Sequence, residues 1–96
     1  MTLDEFEASL DHAAPPGGLA RTLEALWWAR KDDWNRAHEL AQAQDDQDGA
    51  WVHAHLHRIE GDDANAGYWY RRAHQPYPEE GLAAEWRTIA GRLLGG

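Results

Sequence analysis

Apolar residues recur along this chain at helical spacing rather than in alternation, and breaks rich in Gly, Pro and Asp divide them into successive segments. Residues three and four apart share one face of an α-helix, so each segment reads as an amphipathic helix. Thr2-Leu3-Asp4-Glu5 has the form of a capping box, in which the Thr hydroxyl accepts from the Glu5 amide and the Glu carboxylate returns to the Thr amide. Leu3, Phe6 and Leu10 follow, which predicts a short helix to about His12. The run Ala13-Ala14-Pro15-Pro16-Gly17-Gly18 breaks it. A second helix begins near Leu19 with the stripe Leu23, Leu26 and Trp27, and runs to Lys31. Asp32-Asp33 caps a third, striped by Trp34, Ala37, Leu40 and Ala41. Asp45-Asp46-Gln47-Asp48-Gly49 reads as a polar turn, after which Val52, Leu56 and Ile59 mark a fourth helix that stops at Gly61. Asp62 or Asp63 caps a fifth, carrying Ala66, Trp69, Tyr70 and Ala73, and Gln75-Pro76-Tyr77-Pro78 ends it. Glu79 and Glu80 suit the positive end of a last helix over 80–94, with the stripe Leu82, Trp86, Ile89 and Leu93. The expectation is an all-α fold of about six short helices in a single domain over residues 1–96.

Two stretches repeat one another. When 19–44 is laid on 48–73, Leu23 meets Val52, Ala25 meets Ala54 and Trp27 meets Leu56. Asp32-Asp33 then meets Gly61-Asp62, Ala37 meets Ala66, Leu40 meets Trp69 and Ala41 meets Tyr70. Small, bulky and turn positions matching together indicate stacked helical hairpins, with the alanines letting helix backbones approach closely.

The second unit resembles a tetratricopeptide (TPR) repeat. Its small residues are Ala54 and Ala66, its turn Gly61-Asp62, its aromatic pair Trp69-Tyr70, its closing alanine Ala73 and its terminating proline Pro78. The first unit matches through Ala25, Trp28, Asp32-Asp33 and Ala37. The resemblance implies two TPR-like units, near 19–44 and 48–78, flanked by an N-terminal helix and a C-terminal capping helix. The stretch from His53 to Ala73 is also similar to small bacterial proteins, a likeness that implies no activity. His53 and His57 stand where the TPR pattern has apolar bulk.

Charge and composition narrow the partners. Nine Lys+Arg against seventeen Asp+Glu give a formal charge of -8, which repels nucleic-acid phosphates and anionic lipid headgroups. No nucleic-acid or membrane partner is therefore expected. The acidic start, Met1-Thr2-Leu3-Asp4-Glu5, is unlike a signal peptide, and a cytoplasmic location is expected. The chain has no cysteine, which excludes disulfides, thiolate metal sites and a Cys nucleophile. Ser9, the sole serine, lies on an acidic helix without a base nearby, and neither Gly-Gly pair is followed by Lys-Ser/Thr. These absences favour a non-enzymatic role with no organic cofactor.

Two faces of the fourth helix carry candidate chemistry. On a helix His53 and His57 share a face one turn apart, with Glu60 about one turn further on, while His55 points away. His53, His57 and Glu60 would offer two imidazoles and a carboxylate to zinc, nickel or iron, with a fourth donor from Asp62, Asp63, His38 or water. The alternative is that both rings are packed and satisfied by hydrogen bonds. On the other side, Trp51, His55 and Arg58 would occupy the ligand-facing surface that the resemblance implies, with Arg30 at the equivalent place in the first unit. These residues suit an extended peptide or its carboxylate terminus. The alternative there is a packed Trp51 beside a solvated Arg58. Three functions are expected in turn: an interaction module binding a peptide, a protein or a second copy of itself; a divalent-metal-binding protein; and a structural subunit docking through its last helix.

Overall fold

The computed structural model describes residues 1–95. Among them are six α-helices and no strand, and the all-α expectation holds. The helices are α1 (Leu3–Ala8), α2 (Arg21–Arg30), α3 (Trp34–Ala43), α4 (Gln47–Ile59), α5 (Asp63–Arg72) and α6 (Leu82–Leu93), with a single 3-10 turn, Ser9–Asp11, after α1. None of them is long and apolar enough to cross a membrane.

Local chemistry sets most boundaries. The Thr2–Glu5 capping box forms in both directions, with hydrogen bonds of 2.8 and 3.1 Å. Asp33, Asp46 and Asp62 cap α3, α4 and α5, each accepting from the amide three residues on. The ends of α2, α4 and α5 share one device. Asp32, Gly61 and His74 take left-handed backbone conformations (φ 62°, 84° and 56°), and the next amide returns to a carbonyl five residues back: Asp33 to Trp28, Asp62 to His57, Gln75 to Tyr70.

Boundaries differ from expectation at three helices, the first being α2, which starts at Arg21 rather than near Leu19. The turn before α4 is shorter, since Gln47 to Gly49 already form its first helical turn under the Asp46 cap. A Cβ on Gly49 would sit 1.8 Å from the Gln44 carbonyl oxygen, so glycine is what lets the C-terminal end of α3 run this close to α4. At the last helix, Glu79 and Glu80 lie before the N-terminus, and Gly81 caps a helix that starts at Leu82.

α4 is the central element. It packs against α2, α3, α5 and α6, and every residue from Gly49 to His57 is buried. The four alanines matched in sequence, Ala25, Ala37, Ala54 and Ala66, are all fully buried at these crossings. α6 folds back over α4 and reaches α1 and α2. Trp86 stacks on Phe6 with ring centroids 5.5 Å apart, and its indole N–H donates to the Leu26 carbonyl at 2.7 Å. Trp86 and Ile89 are thus buried within the chain, while Leu82 stays exposed. The stripe expected to dock elsewhere finds most of its burial here.

Candidate functional site

A helix buried on all sides has no solvent to satisfy polar side chains, so each histidine of α4 needs a partner. His53 and His57, one turn apart, face α3 and stack with ring centroids 4.9 Å apart. The geometry of the α3–α4 hairpin brings His38 opposite them. Its Nε2 lies 2.9 Å from Nε2 of His53, a hydrogen bond in which one ring donates and the other accepts. His38, His53 and His57 each offer a ring nitrogen, and these nitrogens all lie within 4.8 Å of one another.

Two tryptophans wall the cluster. Trp34 stacks on His38 at 4.7 Å and stands edge-on to His57, and its own N–H is spent on the Leu56 carbonyl at 2.7 Å. Trp69 stacks on His53 at 3.9 Å from the other side, on α5. Burial, reinforced by the neighbouring imidazoles, pushes His53 down from the ordinary 6.5 to about 4. His38 is lowered too, first by burial and then by His57. Both rings are therefore neutral at pH 7 and keep a lone pair each.

The expected ligand set changes in one member. Glu60 does not join His53 and His57 around a common point; its carboxylate accepts from Nδ1 of His57 at 2.7 Å. The reason is helical: a side chain three residues on reaches the near edge of the His57 ring, not the space between the two rings. Glu60 thereby fixes the orientation of the imidazole and leaves Nε2 as the nitrogen open to another partner. Asp62 lies within the same distance of His57 and Glu60, but it is occupied with capping α5 and accepting from the Asn65 amide group. His38, rather than Glu60, has a donor atom close to those of both His53 and His57.

On the opposite face of α4, Trp51, His55 and Arg58 share one side and α6 lies across it; Trp51 and His55 are buried, and Trp51 borders a cavity of about 480 Å³ together with Tyr77, Glu85 and Arg92. His55 is buried, with Nδ1 2.6 Å from the Glu85 carboxylate. Arg58 donates to the same oxygen at 3.0 Å and to the Glu80 carbonyl, and the Tyr70 hydroxyl donates to the other Glu85 oxygen. Burial works against the charge on Glu85, yet the hydrogen bonds from His55, Tyr70 and Arg58 outweigh it and hold the carboxyl below its usual range. Burial and the same carboxylate push the Tyr70 hydroxyl well up. Trp51 packs beneath Arg92, whose guanidinium lies 5.6 Å above the ring. Arg30 belongs to a separate group, pairing with Glu7 and lying 4.6 Å over Trp86. Glu85 was not singled out in the sequence, although it falls on the same helical arc as Leu82, Trp86 and Ile89. An acid inside an apolar stripe asks for a cationic partner, and that is the signal that points to it.

Beside the histidine cluster, a cavity of about 310 Å³ borders His53, Trp69, Arg72, His74, Gln44 and Asp45. Comparison with protein-family models, curated proteins and solved structures finds no match for this chain.

Proposed function

We propose that this protein binds a divalent transition metal through His38, His53 and His57, on a TPR-like helical scaffold. The observation that carries the reading is the convergence of three imidazole nitrogens from two helices. Two further features support it. The His57–Glu60 hydrogen bond is the carboxylate–histidine arrangement that orients metal-bound imidazoles in general. Burial lowers both His38 and His53, so at pH 7 neither ring holds a second proton that a metal would have to displace.

An all-imidazole set suits zinc, nickel or copper(II). Iron(II) is less suited, because a facial site of two histidines and one carboxylate would need Glu60 as a ligand rather than as a partner of His57. The interaction-module reading keeps a narrower support, since α6 packs on that face and Trp51 meets the surface only at the cavity it shares with Glu85 and Arg92.

Thermal unfolding with and without zinc tests the proposal. At a hundredfold excess over Kd, a ligand that binds only the folded chain adds about 2.7 kcal/mol. A clear rise in Tm is expected for the wild type, and none for His38→Ala, a partly exposed position that the core does not depend on. Equal behaviour of the two proteins, or no rise in either, contradicts the reading.

A further inference from the structure

Three protein donors do not complete a tetrahedral ion, and Glu60, Asp62 and His55, the other donors on α4 and at the start of α5, are already engaged. Glu60 is held by Nδ1 of His57, and Asp62 caps α5 while accepting from Asn65. His55 lies on the far face of α4 against Glu85. Closed sets of protein ligands characterise structural metal sites, whereas sites that act on an external molecule keep a vertex open.

Resting on the metal reading above, we infer that the ion held by His38, His53 and His57 takes its remaining donor from outside the chain. The geometry points to water or hydroxide at rest, exchangeable for a small anion with a lone pair to donate. Access would be from the side of His53, the member of the cluster that the cavity touches. At about 310 Å³ it holds several waters at roughly 30 Å³ each, more than a coordinated water alone requires. A cation stands beside this route. Arg72 lies with its guanidinium 5.2 Å over Trp69, and Trp69 stacks directly on the His53 ring at 3.9 Å. Asp45 borders the same cavity and offsets part of that charge, while Asp46 is spent on the Gly49 amide and on Gln44. A small monoanion therefore fits better than a polyanion.

Cobalt(II) provides the probe, because its visible absorption bands report both binding and the donor set. With the 96-residue chain loaded with one equivalent of cobalt, sodium azide is expected to change the bands saturably, as displacement of one donor requires. Arg72→Ala, at an exposed position, is expected to weaken the apparent azide affinity by roughly two- to fivefold, the scale of one partly screened charge. Cobalt bands that azide leaves unmoved overturn this inference and leave metal binding intact. Azide binding that is indifferent to Arg72→Ala overturns the assigned route. No cobalt bands at all overturn both the inference and the metal reading.

Discussion

His53 is neutral when folded, and that neutrality has a measurable consequence. Its ring titrates near 4 in the folded protein and near 6.5 when unfolded, so between these values the unfolded chain takes up a proton that the fold refuses. Stability is therefore full above about 6.5 and falls as pH drops through this window, by about 3 kcal/mol in total, levelling off below about 4. His38, also lowered, adds to the loss in the same direction. Glu85 works at more acid pH, because its folded value is lowered from an ordinary 4.5. Urea denaturation of His53→Phe, which keeps a ring against Trp69, is expected to show a flatter profile between pH 6.5 and 4.5; an unchanged slope contradicts the assignment. Glu85 carries a second prediction. Replacing it by Ala strands His55, Arg58 and Tyr70, and the expected loss is about 3 kcal/mol, the scale for breaking a buried ion pair from one side. A loss below about 1 kcal/mol in the same assay says that solvent reaches the network.

The helices themselves were legible in the sequence because their signals are local. Capping boxes, Asp caps, apolar spacing and proline breaks act within one or two turns, and the α1, α3 and α5 starts follow them closely. The misread boundaries have non-local causes. Gly49 resembled a turn residue, but it is helical and small because the Gln44 backbone passes beside it. Gly→Ala inside a helix ordinarily gains about 1 kcal/mol from propensity. At Gly49 the sign is expected to reverse, because the new methyl meets a backbone carbonyl that cannot rotate away. Thermal unfolding of Gly49→Ala checks this: a lowered Tm is expected, and an unchanged or raised one contradicts the packing of the α3–α4 turn.

For the whole molecule, what sequence spacing reveals is which residues share a helix face, not which second helix covers that face. His53 and His57 could be paired by counting along α4, and so could Trp51, His55 and Arg58. That the first pair meets His38 across the α3–α4 turn follows from how tightly the hairpin closes. That α6 covers the second set follows from a return across the molecule, anchored by Trp86 between Phe6 and the Leu26 carbonyl. The same helix thus presents one face closed by an internal salt bridge and one face on which ring nitrogens of His38, His53 and His57 gather, with one proton held between His38 and His53. The two faces are chemically opposite: Glu85 fills the demand of His55, while His38, His53 and His57 have no carboxylate between them.

The most direct measurement is a zinc titration followed by ring-nitrogen NMR of the histidines in the 96-residue chain. The account predicts that one nitrogen each of His38, His53 and His57 moves to a metal-bound shift, together and complete at one equivalent, while His55 stays fixed against Glu85. Ring nitrogens of His38 and His53 that remain unmoved at stoichiometric zinc, or movement confined to His57 alone, contradict it.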